Sequence, residues 1–324
     1  AEGATAEQVY KNIQVLKGTP ANELIQAMHL VKADVGLDCE DCHDAKDRAA
    51  DTLKPKEVAR EMWRMMTAIN KSTFQGRQMV TCYTCHRGVP NPANVPVLPI
   101  EQWKEPAKVA VPSIDLILSK YIEALGGEQA LRNVTSRVVT GTQDIATGPG
   151  GSIPTPATVE KYSKAPNLSL SLYHTPAYTI SDGFDGTTAW TQNMQGAVQD
   201  AVPVDQSRAK RSSDFYEPLN LNKEYAQMSV DGIERVNSRD AYVVTGHFQN
   251  DSPPERLYFD MLTGLLLRKS AFLPTQAGNS PFEMNYADYR DTGSGVKFPF
   301  RITMNPMGSR IELEPTTILY ITRA

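Results

Sequence analysis

Two copies of one short cysteine motif constrain this chain more than any other feature. The first copy is Cys39-Glu40-Asp41-Cys42-His43 and the second is Cys82-Tyr83-Thr84-Cys85-His86. Two thiols three positions apart on a helical turn can each bond to one vinyl group of a porphyrin, while the adjacent histidine reaches the iron. The sequence therefore predicts two covalently bound haem c groups, attached through Cys39, Cys42, Cys82 and Cys85, with His43 and His86 as iron ligands.

A zinc site and a pair of disulfides are the alternatives for these cysteines. A zinc ion held by four thiolates would leave the histidine that follows each motif unexplained. A redox dithiol would lie near a βαβ pattern, which is not found around these residues. Because haem of this kind is attached outside the cytoplasm, we expect an exported protein, periplasmic or extracellular, whose signal peptide was removed before Ala1.

Composition excludes two classes of partner. The chain has 324 residues and a formal net charge of −4, so it lacks the basic surface that nucleic-acid binding requires. No apolar run approaches the roughly 20 residues that a membrane-spanning helix needs. We therefore expect a protein that binds no nucleic acid and does not span a membrane.

Apolar residues at helical spacing precede each motif. The first stripe is Leu24, Met28, Val31 and Val35, and the second, after Pro55, is Val58, Met62, Met65 and Ile69. Each stripe predicts an amphipathic helix, and both carry methionine at the second position. Thr19 and Pro20 are expected to begin the first helix, as N-cap and first helical residue.

A methionine on such a stripe is a candidate for the second axial ligand of the iron, although methionines on apolar helix faces are more often core residues. The nearby alternative for the first haem is His29, which points roughly 100° away from Met28 around the helix. For the second haem the candidate is Met62. Met65 and Met66 compete with it because they lie one turn further on.

Three stretches, at residues 9–16, 58–70 and 80–88, closely resemble the amino-terminal half of the cytochrome c subunit of photosynthetic reaction centres. The resemblance spans about residues 8–92. It implies two haems that transfer electrons between a donor and an acceptor protein, with Met28 and Met62 as iron ligands. The family carries four haems and a histidine near Gly76, whereas this chain has two motifs, which favours a dihaem relative in another electron-transfer chain.

The rest of the chain predicts a second domain. Six prolines between residues 90 and 112 indicate a linker or strap, so the expected units are a dihaem domain (1–89), a linker (90–112) and a β-rich domain (113–324). A helix within 113–132 should end at Gly126-Gly127, and alternating strands follow, with turns at Asp182-Gly183, Asp185-Gly186 and Thr263-Gly264. The fold class is thus α+β, a small, mostly helical dihaem cytochrome c domain followed by an antiparallel sheet with a packed helix.

Residues 259–265 and 288–300 give the second domain a weaker resemblance to the half-barrel of periplasmic lipoprotein carriers. His174 and His247 are isolated on strands and are not expected to bind iron, so all haem ligands should lie before Pro90. We expect an electron carrier and not an enzyme. The alternatives are a peroxidase-type enzyme with one open iron site and a homo-oligomer or filament built through the β-rich domain.

Overall fold

The computed structural model describes residues 4–21, 23–95, 110–147, 153–201, 203–249, 253–306 and 317–323. Ala1 and most of the expected linker, residues 96–109, lie outside these ranges. Within the described part, the regular elements before residue 134 are helices and those after it are mainly strands. The expected α+β organisation is therefore confirmed.

The helices fall into two groups along the chain. Those before residue 90 are α1 (Ala6–Val9), α2 (Leu24–Val35), α3 (Cys39–Cys42), α4 (Lys54–Thr73) and α5 (Cys82–His86). Those after residue 110 are α6 (Ile114–Ala124), α7 (Glu128–Asn133), α8 (Pro203–Ser212) and α9 (Glu217–Glu224). In none of the described helices is a stretch both long enough and apolar enough to cross a bilayer.

The strands form one antiparallel sheet in the order β6-β5-β4-β3-β2-β1-β13-β12-β11-β10-β9-β8-β7. Each run from β1 to β6 and from β7 to β12 pairs neighbours in sequence, and β13 joins the two runs. The strands are β1 (Ser136–Thr147), β2 (Ile153–Lys164), β3 (Leu168–His174), β4 (Thr179–Phe184), β5 (Ala189–Gln192), β6 (Val198–Asp200), β7 (Gln227–Val236), β8 (Arg239–His247), β9 (Glu255–Asp260), β10 (Leu266–Thr275), β11 (Gly278–Asp291), β12 (Lys297–Pro306) and β13 (Thr317–Arg323).

Helix α6 packs on the β7-to-β11 side of this sheet. Its buried face, which includes Ile117 and Tyr121, contacts Leu257 and Phe259 of β9, and the rings of Tyr121 and Phe259 lie 5.2 Å apart. Ser113 caps the helix by accepting a hydrogen bond from the backbone N–H of Leu116. The aromatic and aliphatic burial fixes the helix on the sheet, since apolar area removed from water is the main stabilising contribution.

Helices α2 and α4 form a separate core in the amino-terminal region. Leu24, Ala27 and Leu30 of α2 meet Trp63 and Met66 of α4 there. The segment before α2 packs against this core, and Thr5 and Pro20 within it form an isolated β-bridge. The helical spacing of apolar residues thus predicted both helices correctly, although the face of α4 that is buried differs from the expected one, as described below.

The turn between β10 and β11 reaches into this amino-terminal core. Ala277 is fully buried and belongs to the same cluster as Leu30 and Trp63. The Gln78 side chain donates a hydrogen bond to the backbone oxygen of Gln276, with an Nε2-to-O distance of 2.7 Å. We name residues 275–279 the hairpin tip. The amino-terminal region and the sheet are therefore in direct contact through it.

Two local expectations were wrong. Helix α2 begins at Leu24, with Glu23 as N-cap, because Thr19 is fully buried beside the bridge that Pro20 makes with Thr5. The expected turn at Asp182-Gly183 lies inside β4, where the Trp190 ring and the Ser169 oxygen crowd the glycine so closely that a Cβ would not fit. Glycine occurs at this position because the neighbouring strands approach it closely, and not because the chain turns there.

The expected helix end and the other two turns are confirmed. Helix α6 ends at Ala124, and the N–H groups of Gly126 and Gly127 bond to the Glu123 and Ile122 oxygens. Asp185-Gly186 connects β4 to β5, and Thr263-Gly264 connects β9 to β10. Gly126 has a φ of 122° and a Cβ on it would lie 2.0 Å from the Gly295 oxygen, so only glycine fits this position.

Candidate haem-binding site

The first cysteine motif forms helix α3, a single turn stabilised at its start by Asp38. Asp38 and Asp41 make a reciprocal capping box, in which the Asp38 backbone N–H donates to Asp41 Oδ2 at 2.7 Å. Lys32 of α2 pairs with Asp38 at 2.6 Å. Because two capping hydrogen bonds satisfy N–H groups that a short helix leaves free, the turn is well formed despite its length.

The second motif forms helix α5, which has the same architecture. Thr81 and Thr84 make the capping box here, and the Thr81 N–H donates to Thr84 Oγ1 at 3.0 Å. The residues after this turn are hydrogen-bonded to α2, since the Gly88 N–H donates to the backbone oxygen of Asp34 at 2.8 Å. A Cβ at Gly36 would lie 2.1 Å from the Gly88 oxygen, so glycine is required at the end of α2 for the two segments to meet.

The two motif histidines are oriented in the same way. His43 Nδ1 lies 2.9 Å from the Arg48 oxygen, and His86 Nδ1 lies 3.0 Å from the Val89 oxygen. A carbonyl oxygen only accepts, so each Nδ1 carries the proton and each Nε2 keeps its lone pair. This is the tautomer that a metal-binding histidine needs, with the second ring nitrogen held by a backbone carbonyl.

The motif cysteines differ in burial. Cys39 and Cys85 are exposed, while Cys42 and Cys82 are partly buried, and Cys82 packs against the core of α2 and α4. Burial raises the pKa of the Cys82 thiol to about 11 and also raises that of Cys42. None of the four is in a disulfide, and the described residues contain no group of three or more His, Cys, Asp or Glu side chains arranged to hold a metal ion.

Asp34 is a buried carboxylate between α2 and α5. Its side chain is shielded from water, and Oδ2 has no hydrogen-bond partner. Burial raises its pKa to about 6, against the opposing effects of the Tyr83 backbone N–H and of His86. Sequence patterning did not predict this residue, because an aspartate on an amphipathic helix is ordinarily on the solvent side.

The candidate methionines lie in distinct surroundings. Met28 is partly buried and packs against the amino-terminal core, whereas the neighbouring His29 is exposed. On α4, Met62 and Met65 are 37% and 48% exposed, while Met66 is only 4% exposed and forms part of the core. Met62 and Met65 therefore share the open face of α4, and Met66 is occupied by packing.

The apolar stripe expected on α4 faces outward. Val58, Met62 and Met65 are exposed, and the buried face carries Lys56, Arg60, Trp63, Met66 and Asn70. An outward apolar stripe beside the two cysteine-motif turns fits an apolar macrocycle, because covering exposed apolar groups lowers their free energy. The donor set, two thiols and an Nε2 lone pair in each turn, fits the same group.

The polar residues on the buried face of α4 were missed in the sequence. Asn70 organises the segment before Cys82: its Nδ2 donates to the Val80 oxygen at 2.7 Å, and its Oδ1 accepts from the backbone N–H groups of Met79 and Val80. Lys56 and Arg60 act on the segment after His43. No hydrophobicity pattern signals such residues, since their partners are backbone groups of irregular segments.

The two histidines after residue 113 lie on strands of the sheet. His174 Nδ1 lies 3.0 Å from Thr179 Oγ1, and its Nε2 lies 3.8 Å from Glu160 Oε1. His247 is exposed at the end of β8. Both are thus on the sheet, as expected from the sequence.

Residues 1–114 match the family model of the photosynthetic reaction centre cytochrome C subunit. The reaction centre cytochrome c subunit of Thermochromatium tepidum is 37% identical over 94 residues, which cover 28% of this chain and 23% of that protein. That of Rubrivivax gelatinosus is 34% identical over 97 residues, covering 29% and 26%.

The amino-terminal third of this chain is similar to the cytochrome c subunit of photosynthetic reaction centres. The resemblance expected from residues 8–92 is therefore confirmed. The chain spans about a quarter of the length of these two curated relatives.

Solved structures similar to this chain include a LolA superfamily protein from Nitrosomonas europaea. It has a TM-score of 0.43 and 16% identity, covering 65% of this chain and 92% of that one. A putative outer membrane lipoprotein-sorting protein domain from Vibrio parahaemolyticus has a TM-score of 0.41 and 12% identity, covering 63% and 91%. The weaker resemblance stated for residues 259–265 and 288–300 is to proteins of this kind.

Proposed function

We propose that this protein is an exported electron carrier with two covalently bound haem c groups. The observation that carries the proposal is the matched pair of attachment turns, each with two thiols, a capping box and a histidine whose Nδ1 is held by a backbone carbonyl. A bound haem supplies one-electron chemistry at its iron. The residues of the chain hold it, orient its ligands and set its environment.

The proposed ligand sets are His43 with Met28 and His86 with Met62. Each histidine offers Nε2, and each methionine lies on the helix that precedes its motif. Met62 is favoured over Met66 because Met66 is packed in the core, and Met28 is favoured over His29 by the resemblance. Thioether ligation raises the reduction potential, which suits exchange of electrons with donor and acceptor proteins.

The number of haems is tested by mass and by pigment extraction. The intact mass should exceed that of the polypeptide by two haems, and the haem should stay with the protein in acidified acetone. A mass increase of a single haem, or release of the haem into the solvent, would refute the proposal.

The second-haem ligand is tested by Met62→Ala, with Met65→Ala as the matched control one turn further along the same exposed face of α4. The first change should remove the second haem's contribution to the thioether-to-iron charge-transfer band and turn that haem high-spin, while the control should keep both haems low-spin and the band unchanged. If the unsubstituted protein already contains one high-spin haem that reacts with peroxide, the enzyme alternative is correct and the carrier is not.

A further inference from the structure

The ammonium group of Lys56 is buried in a ring of backbone oxygens. Its Nζ donates to the oxygens of Arg48, Ala49 and Ala50 at 3.0, 2.9 and 2.7 Å and lies 3.3 Å from Asp51 Oδ1. The side chain is 10% exposed. A cation removed from water is tolerated when it is paired and hydrogen-bonded in this way.

One of these three oxygens is the acceptor of the His43 imidazole. His43 Nδ1 donates to the Arg48 oxygen at 2.9 Å, and Lys56 donates to the same atom. A carbonyl oxygen has two lone pairs and can accept both bonds. The lysine charge and the histidine ring are therefore joined through a single shared atom.

The second motif has the same histidine bond without the cation. His86 Nδ1 donates to the Val89 oxygen, and no other side chain among the described residues donates to that oxygen. The two sites are thus alike in their first contacts but differ in the charge placed on the acceptor. The difference arises because Lys56 lies in the first turn of α4, close to the segment that follows His43.

We propose that Lys56 is a positioning residue that weakens the electron donation of His43 and thereby raises the reduction potential of the first haem. A cation bonded to the acceptor oxygen withdraws electron density from it, so the oxygen polarises the Nδ1–H bond less. The imidazole then has less imidazolate character, and ferric iron is stabilised less. The positive charge itself acts in the same direction, because it disfavours the more positive oxidised state.

The remaining members of the cluster keep the oxygens in place without touching the shared atom. Arg60 Nη1 lies 2.9 Å from Asp51 Oδ1, and Asn12 Nδ2 donates to Asp51 at 2.9 Å and to the Ala49 oxygen at 2.6 Å. Arg60 is as buried as Lys56 and carries the same charge. It is therefore the matched control for a general effect of charge or of loop geometry.

The inference rests on the proposed His43 ligation, so the haem count is measured on every variant before its potential. Lys56→Gln removes the charge and keeps an amide that can still donate. We expect the reduction equilibrium constant of the first haem to fall about tenfold, which is about 59 mV for a one-electron couple, with the second haem unchanged. Lys56→Arg should restore the original value, and Arg60→Gln should change it much less.

Two results would overturn the inference. One is an unchanged potential of the first haem in a Lys56→Gln protein that holds both haems. The other is an equal fall in Arg60→Gln, which would assign the effect to the charge of the cluster as a whole. A missing haem in the unsubstituted protein would instead refute the proposed function.

A measurement on the unsubstituted protein covers the case in which Lys56→Gln does not fold. In the diamagnetic ferrous protein, a stronger N–H···O bond moves the Nδ1 proton resonance to lower field. The His43 Nδ1 proton should therefore resonate at higher field than that of His86. Equal positions, or the reverse order, would contradict the inference without any substitution.

Discussion

Substituting Gly278 at the hairpin tip measures how tightly the turn between β10 and β11 packs against the amino-terminal region. Its φ is 143°, and a Cβ there would lie 3.2 Å from Thr81 Cγ2 and 3.3 Å from Leu30 Cδ2. Gly232 in β7 has a φ of 142°, yet a Cβ there would meet nothing within 4 Å. The two glycines thus share the same φ and differ in their neighbours.

Replacing each glycine by alanine separates the two contributions. Gly232→Ala should lower the free energy of unfolding by about 1–3 kcal/mol, because an L-residue is strained at this φ. Gly278→Ala should lower it by the same amount plus about 1 kcal/mol or more, since Thr81 and Leu30 must move by a few tenths of an ångström. Thr81 caps the second attachment turn, so the added strain reaches the haem-binding region.

The assay is denaturant unfolding of the haem-containing protein, followed both by far-ultraviolet circular dichroism and by visible absorption. Gly278→Ala should shift the visible transition, while Gly232→Ala should act mainly on the circular dichroism signal. Equal losses of stability in the two variants, with the visible transition unmoved in both, would show that the hairpin tip does not press on Thr81 and Leu30.

Three further changes examine other parts of the molecule. Met28→His should keep the first haem low-spin and lower its potential, on the order of 100 mV within the ~800 mV range that axial ligands span, and spectroelectrochemistry would detect it; an unmoved potential contradicts Met28 ligation. Hydrogen bonds led by that of Arg60 hold the pKa of Asp51 well below its usual value, so the stability that this carboxylate adds is complete at neutral pH and shrinks below about pH 4. The free energy of unfolding of Asp51→Asn should therefore be lower than that of the unsubstituted protein at neutral pH, and the difference should shrink in acid. A difference that stays constant across pH would refute this. Tyr225→Phe removes a buried hydrogen bond to Glu255 and should lower the unfolding free energy by about 1–2 kcal/mol in thermal melts, whereas an unchanged melting temperature would count against it.

Much of the fold could be predicted because its signals are local. The alternating strands expected after the helix within residues 113–132 are present, from β1 at Ser136–Thr147 to β13 at Thr317–Arg323. Alternation and turn residues act over short distances, and every pairing within the two runs of strands joins neighbours in sequence. The attachment turns were predictable for the same reason, since a capping box spans only four residues.

The polar half of the haem-binding region was not predictable, for a physical reason. Lys56 and Arg60 are buried because the segment from residue 48 to 51 and Asn12 supply oxygens to them, and no local pattern places those segments together. A lysine on a helix is ordinarily solvated, so hydrophobicity alone predicts that Lys56 lies on the exposed face of α4. The contact of Ala277 with the amino-terminal core was unpredictable likewise, because it joins residues about two hundred positions apart.

The placement of β13 has a consequence for the order of folding. Strands β1 to β6 form one meander of adjacent hairpins, and strands β7 to β12 form another. Such hairpins need only short loops to close, so they can form early. They become one sheet only when β13, at residues 317–323, pairs with β1 on one side and β12 on the other. Pairing β1 with β13 brings together segments about 180 residues apart in sequence, the kind of distant contact that slows folding. During synthesis both meanders are made before the strand that unites them, and until it docks each presents an open strand edge to other chains.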